Sequence, residues 1–160
     1  MPKRTVVASD IAGQLHKLNV SDLRWRPSAY GIVVKDGNIL LSPQNSGYDL
    51  PGGGVELGEM PEEAVIREVF EETGIVVKNP RIIDSASNFF LLPNSGKGRE
   101  VQSILLYYLC DYVSGKLSDA NFTEDDKQYT GFPQWISVAR VNDIELGSSY
   151  DWRPLVEKVT

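Results

Sequence analysis

With Cys110 as its only cysteine, the chain can form no internal disulfide, which makes a reducing cytoplasm the expected location. Histidine is equally scarce: His16 is the only one, stands apart from any ligand pattern and reads as structural. No apolar run approaches the roughly 18 residues of a membrane span, so no membrane partner is expected. The opening MPKRTVVASDIAG lacks the apolar stretch of a signal peptide. Repeats, low-complexity tracts and linkers are missing too, so residues 1–160 are expected to form one domain. With 41% apolar and 24% charged residues, that domain reads as globular rather than disordered.

A basic surface is also lacking. The net charge is −6, and it is concentrated. Glu56, Glu59, Glu62, Glu63, Glu68, Glu71 and Glu72 face only Arg67 in one short segment, while the remaining 15 acidic and 15 basic residues cancel. Polymeric nucleic acid, which needs a basic surface, is not expected as a partner. An anionic substrate could approach this segment only with cations between.

Along the chain, Asp10 is expected to cap a short helix carrying Ile11, Leu15 and Leu18, and RWRPSAY leads into a strand. YGIVVKDGNILLS predicts a hairpin about Asp36-Gly37. YDLPGGGVELGE reads as a glycine-rich loop. Pro61 to Thr73 is helical in pattern, with Glu62 and Glu63 at the favourable end and Gly74 as the stop. IVVKNPRIIDSASNFFLL is strand material broken near Asn79-Pro80, and PNSGKGRE connects it to the strand VQSILLYYLCDYV. TEDD falls in a polar loop before the strand QWISV. A helix after Ser137 and one including Pro154–Lys158 complete the chain. Strands and helices without a regular βαβ repeat predict an α+β fold, a mixed sheet sandwiched by helices.

The stretch REVFEETG gathers Glu68, Glu71 and Glu72 near the C-terminal end of the predicted helix. Like charges three or four apart destabilise a helix by roughly 0.2–0.5 kcal/mol per pair, and the dipole disfavours anions in the last turn. On a wheel of about 100° per residue the three share an arc of about 100°, with Ile66, Val69, Phe70 and Thr73 opposite. A solvated face is the plain reading. Such faces normally mix signs, however, and Arg67 lies to one side. Three clustered carboxylates suit a hard divalent cation such as Mg²⁺, and Gly52, Gly53 and Gly54 would let backbone carbonyls approach it. Lys97 and Arg99, flanking Gly98, could close on phosphates. Phe89, Phe90, Tyr107, Tyr108 and Tyr129 could stack a base, although strand aromatics are more often core. Cys110 reads as a small buried hydrophobe.

From Gly53, GGVELGEMPEEAVIREVFEETGI fits the pattern G-x5-E-x7-R-E-U-x-E-E-x-G-U, with U aliphatic, and so resembles the signature of the Nudix hydrolases. Gly53, Glu59, Arg67, Glu68, Val69, Glu71, Glu72, Gly74 and Ile75 all match, without a gap. The flanking strands resemble a Nudix domain over most of residues 28–146, which implies the family's α/β/α sandwich.

The resemblance also implies an activity. Nudix enzymes use Mg²⁺ or Mn²⁺ to hydrolyse a diphosphate joining a nucleoside to another group, releasing a nucleoside monophosphate. By position, Glu68, Glu71 and Glu72 resemble the metal carboxylates and the Gly53 carbonyl the backbone ligand, while Glu59 and Arg67 orient them. Metal ions would screen the polyanion, polarise a phosphoryl oxygen and lower the pKa of bound water. The family places its general base either in the box or on a later loop, where Glu124, Asp125 and Asp126 are candidates and Glu124 is the one singled out. A proline about sixteen residues past the box resembles the ADP-ribose group; Leu91 stands there, with Pro93 two residues later. The coenzyme A diphosphatase motif is absent from ILLSPQ. A nucleoside triphosphate, a nucleotide-sugar and ADP-ribose all stay open as substrates. A homodimer is what the family suggests, and a Nudix fold that binds a nucleotide or protein without catalysis is the alternative.

Overall fold

Asp36 and Gly37 take positive φ (50° and 74°), as a two-residue hairpin turn requires. Strand β3 (Arg24–Lys35) therefore folds back on β4 (Asn38–Gln44), with Val34 opposite Ile39. The computed structural model describes residues 3–44, 47–93 and 98–160. Around this hairpin run β1 (Thr5–Asp10), β2 (Leu15–Asn19), β5 (Gly47–Asp49), β6 (Gly52–Gly54), β7 (Ile75–Leu91), β8 (Glu100–Gly115) and β9 (Gln134–Ser137). The helices are α1 (Pro61–Thr73), α2 (Glu124–Tyr129) and α3 (Arg153–Val159), and the turn of Val138–Asp143 is 3₁₀.

The sheet order is β2-β1-β7-β8-β3-β4-β5, with β6 paired to β3 and β9 to β4. β1–β7 and β3–β8 are parallel and the other pairs antiparallel, so the sheet is mixed. Alternation along β3 sorts its side chains between two cores. Ala29 and Val33 pack with Ala64, Val65 and Val69 of α1. Ile32, with Ile39 and Leu41 of β4, packs with Leu155 and Val156 of α3. Burying each such aliphatic side chain contributes about 1.5–3 kcal/mol, which holds a helix on either face. The fold is thus α+β, a mixed sheet between helices.

α1 begins and ends as its sequence dictates. Glu63 accepts the Met60 N–H at 2.9 Å at the start. Gly74 takes φ 74° at the end and donates its N–H to Phe70 O at 2.8 Å.

Four expectations change. No helix forms near Asp10; β1 and β2 make a hairpin instead, and Asp10 Oδ1 closes the turn by accepting from Ala12 N and Gln14 N, both at 2.9 Å. Thr5, Val6 and Val7 favour a strand, and Leu15 ends 74% exposed, so no apolar helix face existed to bury. The Gly52–Gly54 segment is a strand on β3 rather than only a loop. β7 runs through Asn79-Pro80 with a register shift and positive φ at Asn79, a bulge in place of a break. TEDD starts the short helix α2, because Thr123 Oγ1 accepts Asp126 N and Asp126 Oδ2 accepts Thr123 N.

Candidate active site

Arg67 organises the acidic segment. Its Nε and Nη2 grip both oxygens of Glu59 at 2.7 and 2.9 Å. Its Nη1 donates to Glu68 at 2.9 Å and Glu71 at 3.1 Å, and Nη2 also reaches Gly54 O at 3.2 Å. Glu59 in turn accepts Glu56 N at 3.0 Å, so one guanidinium fixes the turn before α1, the glycine strand and the helix together. The Arg67 bonds hold the Glu59 carboxyl below its usual range. Arg67 therefore lies at the centre of the carboxylates, not to one side of them.

Glu72 is the carboxylate that Arg67 does not touch. It is 4% exposed, and the buried Ser42 hydroxyl donates to it at 3.1 Å from β4. Burial, reinforced by the charges of Glu68 and Asp126, pushes its carboxyl well above the ordinary range. Glu68 is raised chiefly by burial as well, with Arg67 acting against the shift. The plain reading of a solvated acidic face therefore fails. The buried stripe of α1 is Ala64, Val65, Val69, Glu72 and Thr73, so Glu72 lies inside it while Phe70 is 42% exposed.

Gly53 lies against this group. A Cβ on Gly53 would stand 2.7 Å from Glu68 Oε1, so only glycine lets strand and carboxylate come this close. The donors fit a hard cation in kind: all are oxygens, and one is a buried carboxylate without a cation partner among the described residues. They are not yet a cage. Among the described residues no three acidic, histidine or cysteine side chains are gathered as a cation site, because Arg67 holds Glu68 and Glu71 while Ser42 holds Glu72.

On the other side of the glycine strand opens a cleft of about 470 Å³, within the range of small-molecule sites. Gly52 and Gly53 line it, with Arg26 and Tyr30 of β3, Asp49 of β5 and Phe90 of β7. Asp49 is a buried carboxyl, 6% exposed; desolvation pushes it up to about 7, and the Leu50 N–H at 2.8 Å only partly offsets this. Tyr30 stacks on Tyr107 and Tyr107 on Tyr150, with centroids 5.6 and 5.1 Å apart.

The remaining candidates divide. Arg99 donates from Nε to Leu92 O at 3.0 Å, and Leu92 lines the cleft. Lys97 lies outside the described residues. Glu124 points away: its side chain is 91% exposed and ion-paired to Lys127. Asp126, two residues on, is the residue of α2 whose charge bears on Glu68 and Glu72. Of the aromatics, Phe90 lines the cleft, while Tyr107 and Tyr108 are buried; Cys110 is buried too. His16 bonds Asp10 at 2.8 Å, consistent with a structural part.

Sequence reading missed Arg26, Ser42 and Asp49. Period-two alternation in RWRPSAY would have put Arg26, Ser28 and Tyr30 on one strand face, a signal that was present. Nothing local tied Ser42 to Glu72, thirty residues away.

The chain is similar to known proteins over most of its length. The NUDIX domain family model matches residues 25–155. An ADP-ribose pyrophosphatase of Methanocaldococcus jannaschii is 38% identical over 92 residues, 54% of this chain and 51% of that protein. A NAD-capped RNA hydrolase NudC of Haemophilus influenzae is 39% identical over 115 residues, 68% of this chain and 40% of that one. The chain thus spans about half or less of the length of these relatives. Among solved structures, the MutT NUDIX hydrolase of Burkholderia pseudomallei superposes with a TM-score of 0.61 at 20% identity, covering 86% of this chain and 99% of that one. A MutT protein of Bacillus halodurans gives 0.63 at 24% identity over 84% and 81% of the two chains. At such identities these two speak for the fold alone. With its fold, its complete signature and a family match over most of its length, the chain belongs to the Nudix family.

Proposed function

We propose that the chain is a metal-dependent pyrophosphohydrolase that cleaves the diphosphate of a nucleotide linked to a second group and releases a nucleoside monophosphate. The observation that carries this is Glu72, a buried carboxylate with no cation partner among the described residues, set beside Glu68 and a glycine strand that opens on a cleft. A buried charge without compensation is costly, and a divalent cation would supply the compensation. Glu68, Glu71, Glu72 and the Gly53 carbonyl would hold Mg²⁺, with Mn²⁺ as substitute. The bound metal would neutralise phosphate charge and make water a better nucleophile.

The chain's own residues do the rest. Arg67 keeps Glu59 against the turn and Glu68 and Glu71 near Gly53. Ser42 orients Glu72. Asp126, whose charge bears on Glu68 and Glu72, joins Glu124 as a candidate to take the proton of the attacking water, with one of its oxygens held by Thr123 N and Oγ1 at 2.8 Å. The cleft takes the nucleoside half of the substrate, with Phe90 and Tyr30 as its aromatic surfaces.

Substrates in which a nucleoside diphosphate carries a second sugar or nucleoside are favoured over triphosphates, because the relatives are named for ADP-ribose and for NAD-capped RNA. The capped RNA end is a second reading supported by those names; the acidic box segment argues against wide contact with the RNA behind the cap. The test is turnover of ADP-ribose, NAD, nucleotide-sugars, nucleoside triphosphates and a NAD-capped oligonucleotide with Mg²⁺ or Mn²⁺, read by product identity. A monophosphate product only with divalent metal supports the reading. Nucleotide binding without turnover across the panel would favour the non-catalytic alternative.

A further inference from the structure

Arg26 stands where the cleft meets the glycine strand. Its Nη1 donates to Ser28 Oγ at 2.6 Å, and it forms no ion pair among the described residues. Arg67, the other guanidinium at the glycine strand, is by contrast taken up by three glutamates. The Arg26 guanidinium lies over Gly54: a Cβ there would come within 3.1 Å of Nη2. Arg67 reaches the carbonyl of the same Gly54, so the two cations meet at one residue, one committed to carboxylates and the other not. β3 holds Arg26 in the middle of the sheet, opposite Ser103 of β8, and it lines the cleft beside Gly53.

A half-buried guanidinium on a rigid strand, with most of its donors free, matches a phosphate in charge and geometry. A polyanion entering beside clustered carboxylates also needs fixed positive charge on its other side. We propose that Arg26 binds the phosphate that remains on the cleft-bound nucleoside, so that the cleft recognises a nucleoside 5′-monophosphate unit rather than a nucleoside alone. This rests on the reading of the cleft as the nucleoside site. The metal is not involved in the contact, and the phosphate is held before and after cleavage.

The test is titration calorimetry in EDTA with AMP, GMP, CMP and UMP and with the four corresponding nucleosides, on wild type, Arg26→Gln and Arg26→Lys. At least one monophosphate should bind wild type about tenfold or more tighter than its nucleoside. Arg26→Gln should abolish that advantage and leave nucleoside binding unchanged, while Arg26→Lys keeps part of it. Thermal melts establish that each variant is folded, and the lysine variant serves if the glutamine one is not. No phosphate advantage in wild type, an advantage that survives in Arg26→Gln, or an equal loss of nucleoside binding would each overturn the assignment. Failure here can be told from failure of the hydrolase reading: turnover without a phosphate advantage removes Arg26 alone, and a phosphate advantage without turnover removes only the hydrolase.

Discussion

Glu72 carries the sharpest consequence at the scale of single residues. Buried beside Glu68, its charge opposes folding until something positive arrives. Glu72→Gln should therefore raise the metal-free melting temperature by an amount matching about 0.3–1 kcal/mol at low salt. The amide oxygen can still accept from Ser42, so that hydrogen bond need not be lost. The same change should lower kcat by about a hundredfold or more, because a metal ligand goes. Melts in EDTA beside steady-state rates in Mg²⁺ check both; a variant less stable than wild type in EDTA would mean that the Ser42 contact outweighs the charge. Asp49 gives a pH dependence. Its folded pKa, about 7, exceeds the ordinary 3.8, so the unfolded chain releases this proton first as pH rises. Its contribution is fully present below the ordinary value and is lost as pH climbs to the folded one. Urea unfolding from pH 4 to pH 8 should show Asp49→Asn losing less stability across that window than wild type. Parallel curves would refute the assignment.

Two glycines, one within β6 and one at the end of α1, should separate function from stability. Gly53 lies in β6 beside Glu68, at the far end of a flexible side chain. Gly53→Ala should displace that carboxylate and abolish most activity, with a melting temperature near that of wild type. Gly74 ends α1 at φ 74°, and a Cβ there would also meet Lys116 O at 2.6 Å. Gly74→Ala should therefore cost at least about 1–2 kcal/mol of stability in urea unfolding. While folded it should retain most of its activity, since the carboxylates keep their places. The reverse pattern, Gly53→Ala unstable and Gly74→Ala neutral, would show that the glycine strand is a structural element only.

For the whole molecule, the proposed function would link cation binding to folding. Mg²⁺ at about a hundred times its dissociation constant should stabilise wild type by about 2.7 kcal/mol through mass action. Glu72→Gln should gain much less, so the order of the two melting temperatures should narrow or invert between EDTA and excess Mg²⁺. Equal gains in both proteins would place the cation elsewhere. The concentrated acidity of the chain is the physical ground for this coupling: the entire net charge of −6 lies on the segment that carries the clustered carboxylates.

What the sequence could determine by itself was local. Pro61, Gly74 and the apolar period delimited α1, Asp36-Gly37 placed the hairpin, and the spacing of Glu59, Arg67, Glu68, Glu71 and Glu72 carried the family, because capping, turn geometry and helical spacing act over a few residues. Errors arose where distant parts decide. Asp10 reads as a helix cap in isolation, but β1 found strand partners in β2 and β7. Glu72 looks solvated on a wheel, yet the sheet covers its face and Ser42 meets it. Glu124 was one candidate of TEDD, and only the fold shows that it pairs with Lys127 while the charge of Asp126 bears on Glu68 and Glu72. Arg26 gained its place only when β3 was laid beside β6 and β8, bringing residues some thirty and eighty positions apart onto one wall. Burial and electrostatic environment are properties of that assembled packing, and no local pattern encodes them.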